Sequence, residues 1–232
     1  MREVLLAVAH GSRDPAAQDR IHALTGRVRR VTGTARVATA FVQHASPSLA
    51  SALAGMAAEA DAGMVTIVPL LLSSGYHLST DIAGAAAASG AAVSGPLGPD
   101  PQLTGVLAGR LGEAGVPAGT PVVLAAAGSS DPRAAVDTGR QAALLAAHLA
   151  VPVVPAFVTA ARPTVDEAVA ALARRTGRPV AVAAYLLAPG IFHDRLHRAG
   201  AAWVSAPLGD HPALARLVAA RFADAVSCPR AA

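Results

Sequence analysis

The chain repeats itself, and that feature limits its possible folds more than any other. Residues 5–15 (LLAVAHGSRDP) resemble residues 122–132 (VVLAAAGSSDP), with Gly11 and Gly128 standing 117 residues apart. Ala40, Phe41, Val42 and Pro47 return as Ala156, Phe157, Val158 and Pro163 at a spacing of 116. Leu71, Leu72 and Gly75 return as Leu186, Leu187 and Gly190 at 115, and Pro96-Leu97-Gly98 as Pro207-Leu208-Gly209 at 111. Matches in one order with a slowly drifting spacing indicate a tandem duplication. We therefore divide the chain into residues 1–115 and 116–232, joined within the Gly- and Pro-rich stretch 112–121.

Each half reads as strand then helix, four times over. In the first half the short aliphatic runs are Val4–Ala9, 35–42, 64–72 and 91–94; in the second they are 122–126, 153–158, 180–187 and 202–205. Continuous apolar runs of this kind, alternating with crossover segments, describe parallel strands covered on both faces. Between the first two runs, Ala17, Ile21, Leu24 and Val28 recur at helical spacing, and Asp14-Pro15 supplies a cap followed by a proline at the first helical position. Pro47-Ser48 and Asp100-Pro101 open later helices in the same way. The expected fold class is α/β, with a four-stranded parallel sheet flanked by helices in each half. Hydrophobic residues make up 53% of the chain and aromatics only 3%, so alanine and aliphatic side chains must build the core.

Several function classes are excluded. The formal charge is +4, yet every basic residue is arginine. These arginines are scattered and no aromatics are interleaved with them, which argues against a nucleic-acid surface. Arg27, Arg29 and Arg30 cluster, and we read them as a solvated helix face. Without lysine there is neither a Schiff base nor a phosphate-binding P-loop. One cysteine, Cys228, excludes an internal disulfide and fits the reducing cytoplasm. The N-terminal apolar run is too short for a signal peptide, and residues 142–158 are broken by His148, Pro152 and Pro155, so no membrane span is expected.

Ligands of open parallel sheets bind beyond the carboxyl ends of the strands. His10 ends the first run, Gln43 and His44 end the second, and His77 follows the third in the loop Ser73-Ser74-Gly75-Tyr76-His77. A single turn histidine is more often structural than functional. Two at one ligand edge point to a divalent metal, since neutral imidazole suits iron, cobalt, nickel and zinc. The duplication acts as a control: His10 aligns with Ala127, and His77 with Ile191 or Phe192. Only the first half keeps the pair. Asp81 lies four residues after His77 and either orients it or complements a helix start. His193 and His197 stand i, i+4, a spacing that can bind metal, though the segment reads as an exposed amphipathic turn, and His22, His148 and His211 read as structural.

Three motifs together carry a resemblance: His10-Gly11-Ser12-Arg13-Asp14; Phe41-Val42-Gln43 with Pro47-Ser48-Leu49; and Pro69-Leu70-Leu71-Leu72 with Gly75, His77 and Asp81-Ile82. Their combination resembles the sirohydrochlorin chelatase family, the CbiX/SirB type of class II chelatase, in its form with two fused halves. The resemblance implies two tandem Rossmann-like, chelatase-like halves. It also implies insertion of Fe²⁺ or Co²⁺, as substrate, into the tetrapyrrole sirohydrochlorin on the way to siroheme or cobalamin, without ATP and without an organic cofactor. It places the metal and the catalytic proton transfers at His10 and His77. Ser12, Arg13, Gly75 and Gln43 would bind the substrate, and Asp81 and His44 would support the histidines or the metal. Many members carry a glutamate where this chain has Gln43. We expect a cytoplasmic monomer that binds neither nucleic acid nor membrane. The alternatives are a non-catalytic metal or tetrapyrrole carrier derived from a chelatase and, on the Gly11-Ser12 and Gly128-Ser129 turns alone, an enzyme that binds phosphoesters.

Overall fold

The computed structural model describes residues 3–33, 36–58, 64–75 and 77–227, the side chains of 77–79 excepted; Cys228 lies outside them. The first half runs β1 (Val4–Ala9), α1 (Pro15–Thr32), β2 (Arg36–Phe41), α2 (Leu49–Ala58), β3 (Val65–Pro69), a π-helical turn (His77–Ile82), α3 (Ala83–Ser89), β4 (Ala92–Val93) and α4 (Pro101–Glu113). The second runs β5 (Val122–Ala126), α5 (Pro132–Leu149), β6 (Val153–Phe157), α6 (Val165–Thr176), β7 (Ala181–Tyr185), α7 (Ile191–Leu196), β8 (Trp203–Val204) and α8 (Pro212–Ser227). Both sheets are parallel throughout, in the orders β2-β1-β3-β4 and β6-β5-β7-β8. The α/β reading of two matching halves holds. Some strands end sooner than the apolar runs suggest. Residues 64–72 narrow to Val65–Pro69, and Leu70, just past the strand, stays buried with its N–H donating to the Val8 carbonyl at 2.7 Å.

Every residue of β1, β5 and β7 is buried. Alternate residues of β1 face opposite sides. Leu6 and Val8 join a core with Leu49, Leu53, Ile67 and Ile82. Helices start where short polar side chains accept the orphan N–H groups. Asp14, Asp100 and Asp131 accept from Ala16, Gln102 and Arg133 at 2.9, 2.8 and 2.9 Å, and a proline follows each. Thr164 and Glu167 close a reciprocal capping box on α6.

Packing does not follow the sequence halves. The chain forms two units, Met1–Leu97 with Asp210–Ala232, and Gly98–Gly209. The last helix of each half is exchanged: α8 packs on α1, β3 and β4, while α4 packs on α5 and β7. Repeat-equivalent arginines mark the exchange. Arg221 on α8 donates to the carbonyls of Pro96 and Leu97 at 3.0 and 3.2 Å, and Arg110 on α4 donates to that of Leu208 at 3.0 Å. Leu97 and Leu208 are equivalents as well. Gln141, wholly buried on α5, accepts from the Asp100 N–H at 2.8 Å and donates to Thr104 Oγ1 at 3.0 Å, which ties α4 down. At the start of α8, Asp210 receives Arg27 at 2.8 Å and Arg20 at 3.1 Å. The Arg27 hydrogen bond holds its carboxyl below the usual carboxylate range. Arg29 donates to the Val37 carbonyl at 3.1 Å. The face that carries Arg27, Arg29 and Arg30 is largely solvated, as read from the sequence, and Arg27 and Arg29 in addition make these contacts within their unit.

Candidate metal and tetrapyrrole site

In the order β2-β1-β3-β4 the chain leaves β1 to one side and later returns on the other, so the topological switch lies between β1 and β3. Crevices for ligands open at such a switch, beyond the strand ends. His10 is the first residue after β1, and His77 opens the π-helical turn that follows β3. Gln43 and His44 come just after β2, the other neighbour of β1. The topology therefore gathers three of the expected loops at one edge. The His77 side chain itself lies outside the described residues.

A close backbone approach fixes the loop geometry. Gly11 has φ +96°, and a Cβ there would stand 1.7 Å from the Gln43 carbonyl oxygen. Gly128 has φ +95°, with the Thr159 oxygen 1.9 Å from the same imagined atom. In both halves the strand pairing runs on past the strands: Gln43 N–H donates to the His10 carbonyl at 3.0 Å, and Thr159 N–H to that of Ala127 at 2.9 Å. His44 and its equivalent Ala160 both take left-handed φ, 62° and 58°. The second half reproduces the cradle with Ala127, Thr159 and Ala160 in place of His10, Gln43 and His44. The fold accordingly has no need of the imidazoles or the amide.

His10 is half-buried. Its Nδ1 lies 3.1 Å from the Gly11 carbonyl, which can only accept, so Nδ1 carries the proton and Nε2 the lone pair. The Gln43 side-chain nitrogen lies 2.8 Å from that Nε2 and donates to it. This nitrogen is the one a metal ion would need, and the amide covers it. The exposed His44 ring centre lies 6.3 Å from that of His10, tilted 47°. Strand alternation would have aimed Gln43 and His44 to opposite faces. Because His44 takes a left-handed φ of 62°, alternation no longer applies there, and the amide and the second imidazole both approach His10.

The remaining expected residues divide. Ser12 Oγ accepts the Asp14 N–H at 3.0 Å, and Ser129 does the same for Asp131 at 3.1 Å. The serine thus closes the turn in both halves, which uses one of its two acceptor lone pairs. With carboxylate caps already on α1 and α5, these turns make poor phosphate cradles. Arg13 is exposed beside the turn; Gly75 lies in the loop after β3, and Asp81 is half-buried in the π-helical turn. His22 stands edge-on to Phe41 at 5.7 Å, and His211 Nδ1 accepts the Ala213 N–H at 3.1 Å, so both serve the fold. Among the described residues, no three His, Cys, Asp or Glu side chains gather into a ready metal cage. The Gly11 approach and the helix exchange escaped the sequence reading; the shared Gly-Ser-x-Asp-Pro pattern was the available signal for the first.

The CbiX family model matches residues 4–114 and again residues 121–225. The chain belongs to the CbiX family. The double match coincides with the duplication. This CbiX protein is 27% identical over 207 residues to a sirohydrochlorin ferrochelatase of Bacillus subtilis (strain 168), covering 85% of this chain and 79% of that one. Over 80 residues it is 29% identical to a sirohydrochlorin cobaltochelatase of Methanosarcina acetivorans, covering 34% of this chain and 61% of the other. Its fold matches SirB from Bacillus subtilis with Fe³⁺, with a TM-score of 0.84 at 24% identity over 98% of this chain and 96% of that one. It also matches the sirohydrochlorin chelatase SirB from Bacillus subtilis subspecies spizizenii in complex with cobalt, with a TM-score of 0.79 at 23% identity over 99% and 97%.

Proposed function

We propose that this CbiX protein inserts Fe²⁺ or Co²⁺ into sirohydrochlorin, with no ATP and no organic cofactor, as a cytoplasmic monomer. The observation that carries the reading is His10: a half-buried imidazole at the switch point of the first sheet, its tautomer set by the Gly11 carbonyl, and absent from the otherwise matching cradle of the second half. The relatives that act on sirohydrochlorin support the substrate, and their two metals leave iron and cobalt as the candidates. Among the described residues no helix is long and apolar enough to cross a membrane.

The chemistry is a metal-for-proton exchange. As a divalent ion enters the macrocycle, two pyrrole N–H protons must leave. The two protons pass in turn to an imidazole whose lone pair is not on the metal, which accepts one at a time near working pH, and from it to water. In this reading the Gln43 amide swings off Nε2 of His10, the freed lone pair presents the metal, and His77, following β3, acts as its partner. Arg13, Ser12 and Gly75 meet the carboxylates of the macrocycle, for which an arginine fork is suited. Asp81 and His44 hold the histidines or the arriving ion. The halves 1–115 and 116–232 divide the work, the first carrying the site.

The test is anaerobic insertion of Fe²⁺ and of Co²⁺ into sirohydrochlorin, followed by absorbance. We expect enzyme-dependent insertion that His10→Ala and His77→Ala each abolish while the circular dichroism spectrum is kept. Near-normal turnover in either variant would overturn the two-histidine mechanism. One observation favours a second reading: the side chain beside His10 is the amide of Gln43, which hydrogen-bonds but takes no proton at neutral pH, and this suits a protein that binds metal or tetrapyrrole without catalysing the exchange. Binding with no acceleration over the spontaneous reaction would establish that carrier.

A further inference from the structure

The second half lacks a His10 equivalent but keeps imidazoles in the turn that matches His77. Sheet register makes the match: Leu5 and Val122 are repeat equivalents, and they pair with Thr66 and Ala181. The turn after β3 therefore corresponds to α7, after β7. On α7 and its cap, His193 and His197 stand one helical turn apart, ring centres 5.0 Å from each other and planes at 84°. His193 Nε2 lies 2.9 Å from the carbonyl of Ser205, a wholly buried residue at the end of β8. A carbonyl only accepts, so the proton is on Nε2 and the lone pair on Nδ1.

We propose that His193 and His197 form a second divalent-cation site, specific for borderline ions such as Ni²⁺, Co²⁺, Cu²⁺ or Zn²⁺. Three features converge on it. A metal bonded at about 2.1 Å to one nitrogen of each ring, at a tetrahedral or octahedral angle, puts the ring centres about 4.5–5.5 Å apart. The observed spacing of 5.0 Å lies in that range, so the ion needs a rotation of the exposed His197 ring and no movement of the backbone. His193 also has the outer hydrogen bond typical of a ligating histidine, N–H to backbone carbonyl, which fixes both tautomer and ring direction. Finally, His197 is exposed and His193 half-buried, so one ring is anchored while the other is open to solvent and to the hydrated ion. Two imidazoles and no carboxylate select these metals over Mg²⁺ or Ca²⁺, which demand oxygen. With two protein ligands the ion keeps several waters and exchanges readily. Such a site holds transferable metal on the half that has lost the His10 position.

The site is tested without tetrapyrrole, in a His10→Ala/His77→Ala background, so its outcome is independent of the insertion assay. Ni²⁺ is titrated calorimetrically at near-neutral pH. We expect one ion per chain. Losing a direct ligand costs at least what losing an outer partner does, so His197→Ala should weaken binding by about tenfold or more. This variant leaves the His193–Ser205 bond in place and so should keep its fold; His193→Ala should weaken binding as much, and His148→Ala, in the same unit, should change nothing. A background protein that binds Ni²⁺ no more tightly than its His193→Ala/His197→Ala counterpart overturns the proposal. So does a Cu²⁺ spectrum showing a single imidazole nitrogen.

Discussion

The Gln43 side-chain nitrogen lies 2.8 Å from Nε2 of His10 and donates to the lone pair that a metal would use. The amide therefore competes with the ion. A hydrogen bond of this kind is worth about 1 kcal/mol, near fivefold in an equilibrium constant. Gln43→Ala should raise Co²⁺ affinity at His10 by about that factor. Gln43→Glu replaces the competing donor with an anionic oxygen ligand and should raise it further. Calorimetry on the two variants decides the matter, and an affinity unchanged or lowered in both would show that the amide is no competitor.

Gly11 and Gly128 make a matched pair. Alanine at either position meets a carbonyl at under 2 Å in a left-handed conformation. Strain and crowding together should cost each variant about 2–4 kcal/mol, read as a lowered denaturation midpoint. Only Gly11→Ala should also impair metal binding at His10, because it moves the Gln43 loop. Equal loss of binding in Gly128→Ala would break that distinction.

The exchanged helices make the halves interdependent. Leu214, Leu217, Val218 and Phe222 of α8 are buried in the first unit. At about 1.5–3 kcal/mol each, they approach the whole net stability of a domain. A fragment of residues 1–115 lacks them and should be unfolded by circular dichroism, whereas co-expression with residues 116–232 should restore both. A fragment 1–115 with a cooperative melt of its own would contradict the exchange.

Asp210 anchors the start of α8 through Arg27 and Arg20. Its carboxyl is held below the usual range, chiefly by the Arg27 hydrogen bond. Its contribution is therefore complete above the unfolded pKa of about 3.9 and is lost as pH falls through the lower folded value. The arginines are well exposed, so Asp210→Asn should cost only about 1 kcal/mol at neutral pH. That difference from the unaltered protein should shrink toward zero under strongly acid conditions, as followed by urea denaturation. A gap that widened with acid would carry the wrong sign for this ion pair.

Much of this molecule is legible in local sequence. Aliphatic runs of five or six residues are strands because only a sheet covered on both faces can bury them, and Asp-Pro pairs start helices because cap and fixed φ act within one turn. The duplication and the loss of His10 and His77 from the second copy were visible as letters. The tertiary structure decided what depends on residues far apart in the chain. Nothing in residues 101–113 or 212–227 states which sheet each helix covers, since an apolar face fits either of two near-identical sheets. The exchange shows in Arg110 and Arg221, which reach carbonyls about a hundred residues away. Likewise the left-handed φ of His44 breaks strand alternation past β2, and the tertiary pairing of residues 41–43 with β1 and His10 brings the Gln43 amide onto the lone pair of His10.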